Sequence, residues 1–320
     1  MALTAAGIPL AQTMREGEIV HINTVFPDSL PAALAARFSG KKIVYYAHSA
    51  MEDFRRSFPG SNWLAPLFKI WIKLCYQMGD VIITPTDYSR NLLSGYGIRK
   101  PVYSLSNGVD TDFFAPDEAR RQAFRKRYGL SAQDKVVISA GHTIERKGIL
   151  DYIALARQMP HTKFFWFGHT PAYLIPRAVR RAMAGAPRNL FFAGYIGQEE
   201  LRAAYCGADV FAFLSLEETE GIVVLEALAC GIPIVLRDIP VYQQWLPEGK
   251  GIWKAHDAAG FRQAVNEALS FPLHNMDRIS HNIALSRRLE NVGQGLAKIY
   301  QKEFLVFQSG NDCKSEEVVS

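Results

Sequence analysis

The chain has 320 residues, 48% hydrophobic and 21% charged, with 24 glycines and 16 prolines, which excludes a disordered, collagenous or low-complexity protein and suggests two domains of ordinary size. Its net charge of +5 is modest and scattered, enough to favour a diphosphate or an anionic surface but not nucleic acid. The four cysteines, Cys75, Cys206, Cys230 and Cys313, have neither zinc-ligand nor disulfide-framework spacing, so a reducing cytoplasm is expected.

The opening MALTAAGIPLAQTM is apolar but has no basic residue before Arg15, so it does not read as a cleaved signal peptide. Short β-branched and aromatic runs then alternate with helical periodicity, the pattern of parallel sheets covered by helices. A first sheet takes EIVHI from Glu18, KKIVYYA from Lys41, DVIITP from Asp80 and PVYSLS from Pro101, within an N-terminal domain of residues 1–112. The most apolar stretch, Trp63 to Tyr76, is interrupted by Lys69 and Lys73 and falls short of the ~20 residues a membrane span needs. As a helix it places Trp63, Leu64, Leu67, Phe68, Trp71 and Leu74 largely on one face, preceded by Arg55 and Arg56. That pattern fits a membrane-surface helix and equally a helix covering the first sheet.

Asp112 to Asp134 reads as a polar hinge whose arginines form a surface helix with solvated charges. A second sheet follows in residues 113–284, from KVVISAG, KFFWFG, NLFFAG, DVFAFLS, PIVLRD and GIWK. Residues 285–307 are predicted to form a last amphipathic helix packed back on the N-terminal domain, and 308–320 a disordered tail. Open parallel sheets bind ligands at the carboxyl ends of their strands, so chemistry is expected in the loops after KVVISAG, KFFWFG and DVFAFLS.

The strongest signal is SLEETEGIVVLEALACGIPIVLRD, from Ser215 to Asp238. Glu218 falls in a turn and Glu226 about five residues into a helix, an offset of roughly 7–8 Å at ~1.5 Å per residue. Between them the backbone N–H groups of Gly221, Ile222 and Val223 make a helix start suited to a diphosphate. Carboxylates accept paired hydrogen bonds from diols, so Glu226 suits a ribose and Glu218 a sugar. Taken singly, each glutamate is equally a helix-start acid favoured by the dipole. AGHTIERKG, from Ala140, adds Arg146 and Lys147 at the first strand-to-helix turn of the same sheet, where cations are unfavourable to the dipole but can stabilise a leaving diphosphate.

With these residues the sequence resembles retaining glycosyltransferase family 4, and nearly the whole chain takes part. Glu218, Gly221, Glu226 and LEALACGIPIV are similar to that family's paired-glutamate motif, Lys147-Gly148 to its phosphate-binding lysine, and Asn107-Gly-Val-Asp to its domain junction. The resemblance implies the GT-B fold, two Rossmann-like parallel-sheet α/β domains facing across a cleft. It implies a metal-independent hexosyltransferase that retains anomeric configuration and needs no cofactor beyond its nucleotide-sugar donor. Glu218 would serve the donor sugar, Glu226 the ribose, and Arg146 and Lys147 the diphosphate. His48, ending KKIVYYAH, is similar to a family histidine facing the sugar, whereas His21 reads as packing and His142 stands where many members carry arginine. The chain is also similar to bacterial members that glucosylate diacylglycerol. The resulting expectations are UDP-glucose as donor, a glycan or membrane-lipid acceptor, and a cytoplasmic enzyme peripheral at the inner face of the membrane.

The family's opening strand and Gly-rich turn have no counterpart here, which implies an N-terminal domain incomplete at its start. That keeps a catalytically weak glycosyltransferase-like partner subunit open beside another GT-B enzyme, an epimerase or a phosphorylase. Asp110-Thr-Asp112 has the form of a metal-binding pair, but its place at the junction explains it and no neighbouring carboxylate or histidine cluster completes a site.

Overall fold

The computed structural model describes residues 18–249, 251–271 and 279–304; the apolar opening and the tail from 308 lie outside them. Packing divides the chain into two units. The first holds the described residues up to Ser49, Ile70–Gly108 and those from Leu289; the second holds Ala50–Lys69 and Val109–Arg288.

In chain order the first stretch runs β1 (Ile19–Ile22), α1 (Ser29–Phe38), β2 (Lys42–Tyr46), α2 (Met51–Phe54), α3 (Ser61–Gln77), β3 (Val81–Thr84), α4 (Asp87–Gly95) and β4 (Val102–Ser104). The four strands pair in sequence order, all parallel. β2 and β3 are almost entirely buried, as β-branched runs covered on both faces should be. The chain continues with α5 (Glu118–Arg127), β5 (Val136–Ala140), α6 (Ile149–Gln158), β6 (Lys163–Phe167), α7 (Arg177–Ala184), β7 (Leu190–Gly194), α8 (Gln198–Gly207), β8 (Val210–Phe213), α9 (Ile222–Ala229), β9 (Ile234–Arg237), α10 (Pro240–Gln243), β10 (Ile252–Ala255), α11 (Ala258–Ser270), α12 (Ile279–Ser286) and α13 (Leu289–Phe304).

The second sheet is ordered β10-β9-β8-β5-β6-β7 and is parallel throughout. Strand order therefore reverses between β5 and β8, and such a switch point opens a crevice at the strands' carboxyl ends. Beneath it Val137, Ile149, Tyr152, Phe164, Trp166, Val210 and Val235 form a continuous core, with the Tyr152 hydroxyl sharing its one proton between Val137 O and Phe165 O, each 3.0 Å away. α13 belongs to the first unit, where Leu296 and Ile299 join Val44, Tyr46, Val81 and Ile83.

Two expectations need correction. α5 is a helix capped by Asp117, but its arginines are not simply solvated: Arg125 is buried and donates to Gly207 O, Ser131 O and Asp134 O, while Arg121 donates to the carbonyls ending α8. Helix C-terminal carbonyls lack intrahelical donors, and guanidinium groups supply them. In α3 the apolar set is divided differently. Phe68 stacks on Phe54 and the Trp71 indole donates to Val25 O at 2.6 Å, so the exposed stripe is Trp63, Leu67, Ile70 and Leu74.

Candidate active site

The crevice is built from two turns. After β5 the chain makes one 3-10 turn, Glu145–Lys147, closed by Gly148 at φ +74. A Cβ on Gly148 would lie 2.0 Å from Leu214 O, so glycine is required both for the left-handed backbone and for the approach of this turn to the end of β8. Leu216 N then donates to Arg146 O at 2.7 Å, and Ser215 Oγ lies 3.1 Å from the same carbonyl. This clamp brings side chains 71 positions apart into contact. Lys147 Nζ lies 2.5 Å from Glu218 Oε1, Ser215 Oγ donates to the same oxygen at 2.6 Å, and Arg146 sits 3.7 Å from it. Arg146 also donates to Glu217 O at 2.9 Å.

Glu218 is buried and Arg146 and Lys147 are largely shielded, and their charges answer one another. Burial alone would raise the Glu218 carboxyl, yet Lys147 and Arg146, with hydrogen bonds from Lys147 and Ser215, hold it below the usual carboxylate value. Burial pulls the Lys147 ammonium down, and Glu218 opposes that. Lys147 also lies over the Phe213 ring, 5.3 Å from its centroid.

Eight residues beyond Glu218, Glu226 sits in the body of α9. Gly221, at φ +86, starts that helix with no side-chain cap, and Ile222 and Val223 form its first turn. Glu226 is buried with no cation beside it among the described residues; its partner is the Tyr205 hydroxyl on α8, 2.9 Å from Oε2. Burial pushes this carboxyl up to about 7, against the Tyr205 hydrogen bond.

Three residues that the sequence did not assign to this site complete its surroundings. Asp53, from α2, feels Arg146, Lys147 and Glu218 by charge, and burial raises its carboxyl to about 6 against the pull of Arg146. Its Oδ1 accepts from Ala50 N at 2.8 Å. Ser57 Oγ lies 3.2 Å from Arg146 Nε. Arg56, at φ +57, turns its carbonyl to accept from Arg146 N at 3.1 Å; a left-handed non-glycine is costly and persists where surrounding structure fixes it. MEDFRRS carries no spacing that would have announced these contacts.

His48 belongs to the first unit. Its ring stacks on Tyr46 at 4.6 Å and 6°, and burial lowers its pKa to about 4. His21 stacks on Tyr46 as well; its Nδ1 is 2.8 Å from the Tyr300 hydroxyl, and burial, then His48, lower it to about 4. Packing as read for His21 is what the structure shows. His142 Nδ1 meets His169 O at 3.0 Å. Asp110 Oδ1 accepts from the backbone N–H groups of Asp112 and Phe113, so this carboxylate shapes the junction turn. No cluster of three metal-ligating side chains occurs among the described residues.

Two parallel-sheet α/β units, one with a cation-lined switch point beside an open helix start, define a GT-B glycosyltransferase. The Anabaena protein HepE, solved with UDP and glucose, superposes with a TM-score of 0.76 at 18% identity, covering 91% of this chain and 79% of that one. Sucrose-phosphate synthase from Thermosynechococcus elongatus gives 0.77 at 18%, covering 90% and 74%. By sequence, the chain is 37% identical over 304 residues to the processive diacylglycerol alpha-glucosyltransferase of Acholeplasma laidlawii, covering 94% of this chain and 90% of the relative. It is 28% identical over 302 residues to the alpha-galactosylglucosyldiacylglycerol synthase of Streptococcus pneumoniae, covering 91% and 75%. Residues 10–113 match Glycosyltransferase Family 4 and residues 120–284 match Glycosyl transferases group 1. The chain belongs to glycosyltransferase family 4.

Proposed function

We propose that this glycosyltransferase is a retaining, metal-independent hexosyltransferase that carries glucose from UDP-glucose to a membrane lipid, diacylglycerol or its glycosylated form. The observation that carries the reading is the buried Lys147–Glu218–Arg146 cluster at the switch point, next to the start of α9. As the bond from sugar to phosphate breaks, negative charge grows on the leaving oxygen, and fixed cations in a water-poor crevice stabilise it. An incoming diphosphate would take Lys147 and Arg146 over from Glu218 and rest on the N–H groups of Gly221, Ile222 and Val223. Glu218, released, can accept from sugar hydroxyls, while Glu226 accepts from the ribose diol. His48, neutral at physiological pH, can offer the sugar a hydrogen bond without charge. Because Lys147 and Arg146 meet the charge of the diphosphate, no metal ion is assigned to the reaction.

The acceptor reading is supported by the names of the relatives from Acholeplasma laidlawii and Streptococcus pneumoniae and by α3. Among the described residues no helix is long and apolar enough to cross a membrane. Trp63, Leu67, Ile70 and Leu74, the first 78% exposed, recur at helical spacing as one apolar stripe with Lys69 and Lys73 along its flank. That pattern suits a helix lying in the interface of an anionic bilayer on the cytoplasmic side. The test is transfer from UDP-glucose to diacylglycerol in anionic vesicles, with and without EDTA. An α-linked glucolipid formed equally in both supports the proposal. A β-linked product overturns retention, loss with EDTA restored by manganese overturns metal independence, and activity only with another nucleotide sugar overturns the donor.

A further inference from the structure

We propose that the Tyr242 hydroxyl is a further donor-binding group, giving a hydrogen bond to a phosphate oxygen of the nucleotide sugar at the start of α9. The inference rests on the reading of that helix start as the diphosphate site. Tyr242, on α10, is fully buried, and its hydroxyl has no hydrogen-bond partner among the described residues. A buried hydroxyl without a partner is costly and uncommon, and it calls for an explanation.

Its position supplies one. A Cβ on Gly221 would stand 2.6 Å from the Tyr242 oxygen, so the phenol touches the backbone at the point where α9 begins. Gly221 has no side chain to cap the helix, and Glu218 is committed to Lys147 and Ser215. The ring is held by an edge contact with Trp245, and the residue's own carbonyl accepts from Lys254 Nζ at 3.1 Å. Burial, followed by the charges of Glu218, Glu220 and Glu217, keeps the phenol protonated far beyond neutral pH. The group is therefore a fixed, neutral donor beside an anion-binding helix start, and phosphate oxygens are strong acceptors. It also gives Gly221 a second reason to be glycine: any side chain there would displace the hydroxyl.

The experiment is Tyr242→Phe, which removes one oxygen and keeps the ring, titrated with UDP, uridine and inorganic pyrophosphate beside thermal melting of the ligand-free protein. UDP and pyrophosphate should bind about tenfold more weakly, as a lost charge-assisted hydrogen bond predicts. Uridine affinity should not change. The ligand-free protein should melt at the same or a higher temperature, because the variant no longer buries an unpaired hydroxyl. Unchanged UDP affinity, an equal loss for uridine, or a lower ligand-free melting temperature would each overturn the role of Tyr242. If the parent chain binds neither UDP nor pyrophosphate, the diphosphate site itself is wrong; if the parent binds and Tyr242→Phe binds equally, Tyr242 alone is wrong.

Discussion

The turn after β8 and the body of α9 each bury a glutamate, and they treat it in opposite ways. Glu218 accepts from a serine of its own turn, faces two cations from the neighbouring turn, and is held below the usual carboxylate value. Glu226, whose partner among the described residues is the Tyr205 hydroxyl, is pushed up to about 7. Burial acts the same way on both, so the difference lies in the company. A carboxylate on a switch-point turn meets charges arriving from other strands, whereas one inside a helix meets mainly what that helix packs against. The first is thus favoured as an anion; the second ionises near neutrality, when a ligand can use its charge.

The largest effects should come from breaking the charged side of this contrast. Lys147→Met or Glu218→Gln alone leaves a buried charge without its partner, which should cost about 3–5 kcal/mol in urea unfolding and lower sugar transfer on the order of a hundredfold or more. The double variant should regain most of the stability and none of the turnover. A double variant no more stable than either single one would show that the pair is not the unit we describe.

Next comes Glu226→Gln, expected to weaken UDP binding roughly tenfold above pH 7 with little change in transfer at saturating donor. In the parent, affinity should rise as pH passes through about 7, because only the carboxylate accepts from both ribose hydroxyls; in the variant that dependence should vanish. Stability supplies an independent check. A carboxyl raised from 4.5 to about 7 on folding holds its proton more tightly in the folded state, so its contribution falls as pH rises across that window. Glu226→Gln should flatten this segment of the stability curve, and an unaltered curve would argue against the raised carboxyl.

Tyr205→Phe should act more gently, a few-fold on UDP affinity. Its more informative effect is on pH: without the hydroxyl that favours the carboxylate, the midpoint of the binding curve should move upward. A midpoint that stays or moves down would detach Tyr205 from Glu226. The smallest change is expected at His48, which is neutral well below pH 6.5. Transfer should show no inflection near 6.5 that His48→Gln removes. Because its folded pKa is depressed, the native state loses stability as pH falls from 6.5 toward 4, and His48→Gln should soften that acid loss.

Much of the proposed donor side lies in one short stretch of the chain, which is why the sequence alone suggests it. Glu218, Gly221 and Glu226 occupy one strand–turn–helix segment, where helix geometry fixes their separation. Arg146 and Lys147 stood out because cations at a helix start are locally unfavourable. The exposed stripe of α3 was legible only in part. Periodicity located the apolar residues, but it could not tell that Phe68 and Trp71 turn inward to Phe54 and Val25 while Ile70 faces out. The arginines of α5 misled for a similar reason: a charge run looks solvated until helix C-terminal carbonyls appear opposite it.

By itself the sequence determined the alternation of strands and helices, the glycines at the two turns and the spacing of the paired glutamates, since these depend on local backbone geometry and periodicity. Tertiary structure alone decided which charges meet. Reversal of strand order between β5 and β8 sets the turn carrying Lys147 beside the one carrying Glu218, 71 residues away. Helix packing gives Glu226 its partner in Tyr205, and the segment around Asp53 comes close enough to be felt by Arg146. Coulomb interaction and desolvation depend on distance and burial in space, and separation along the chain specifies neither.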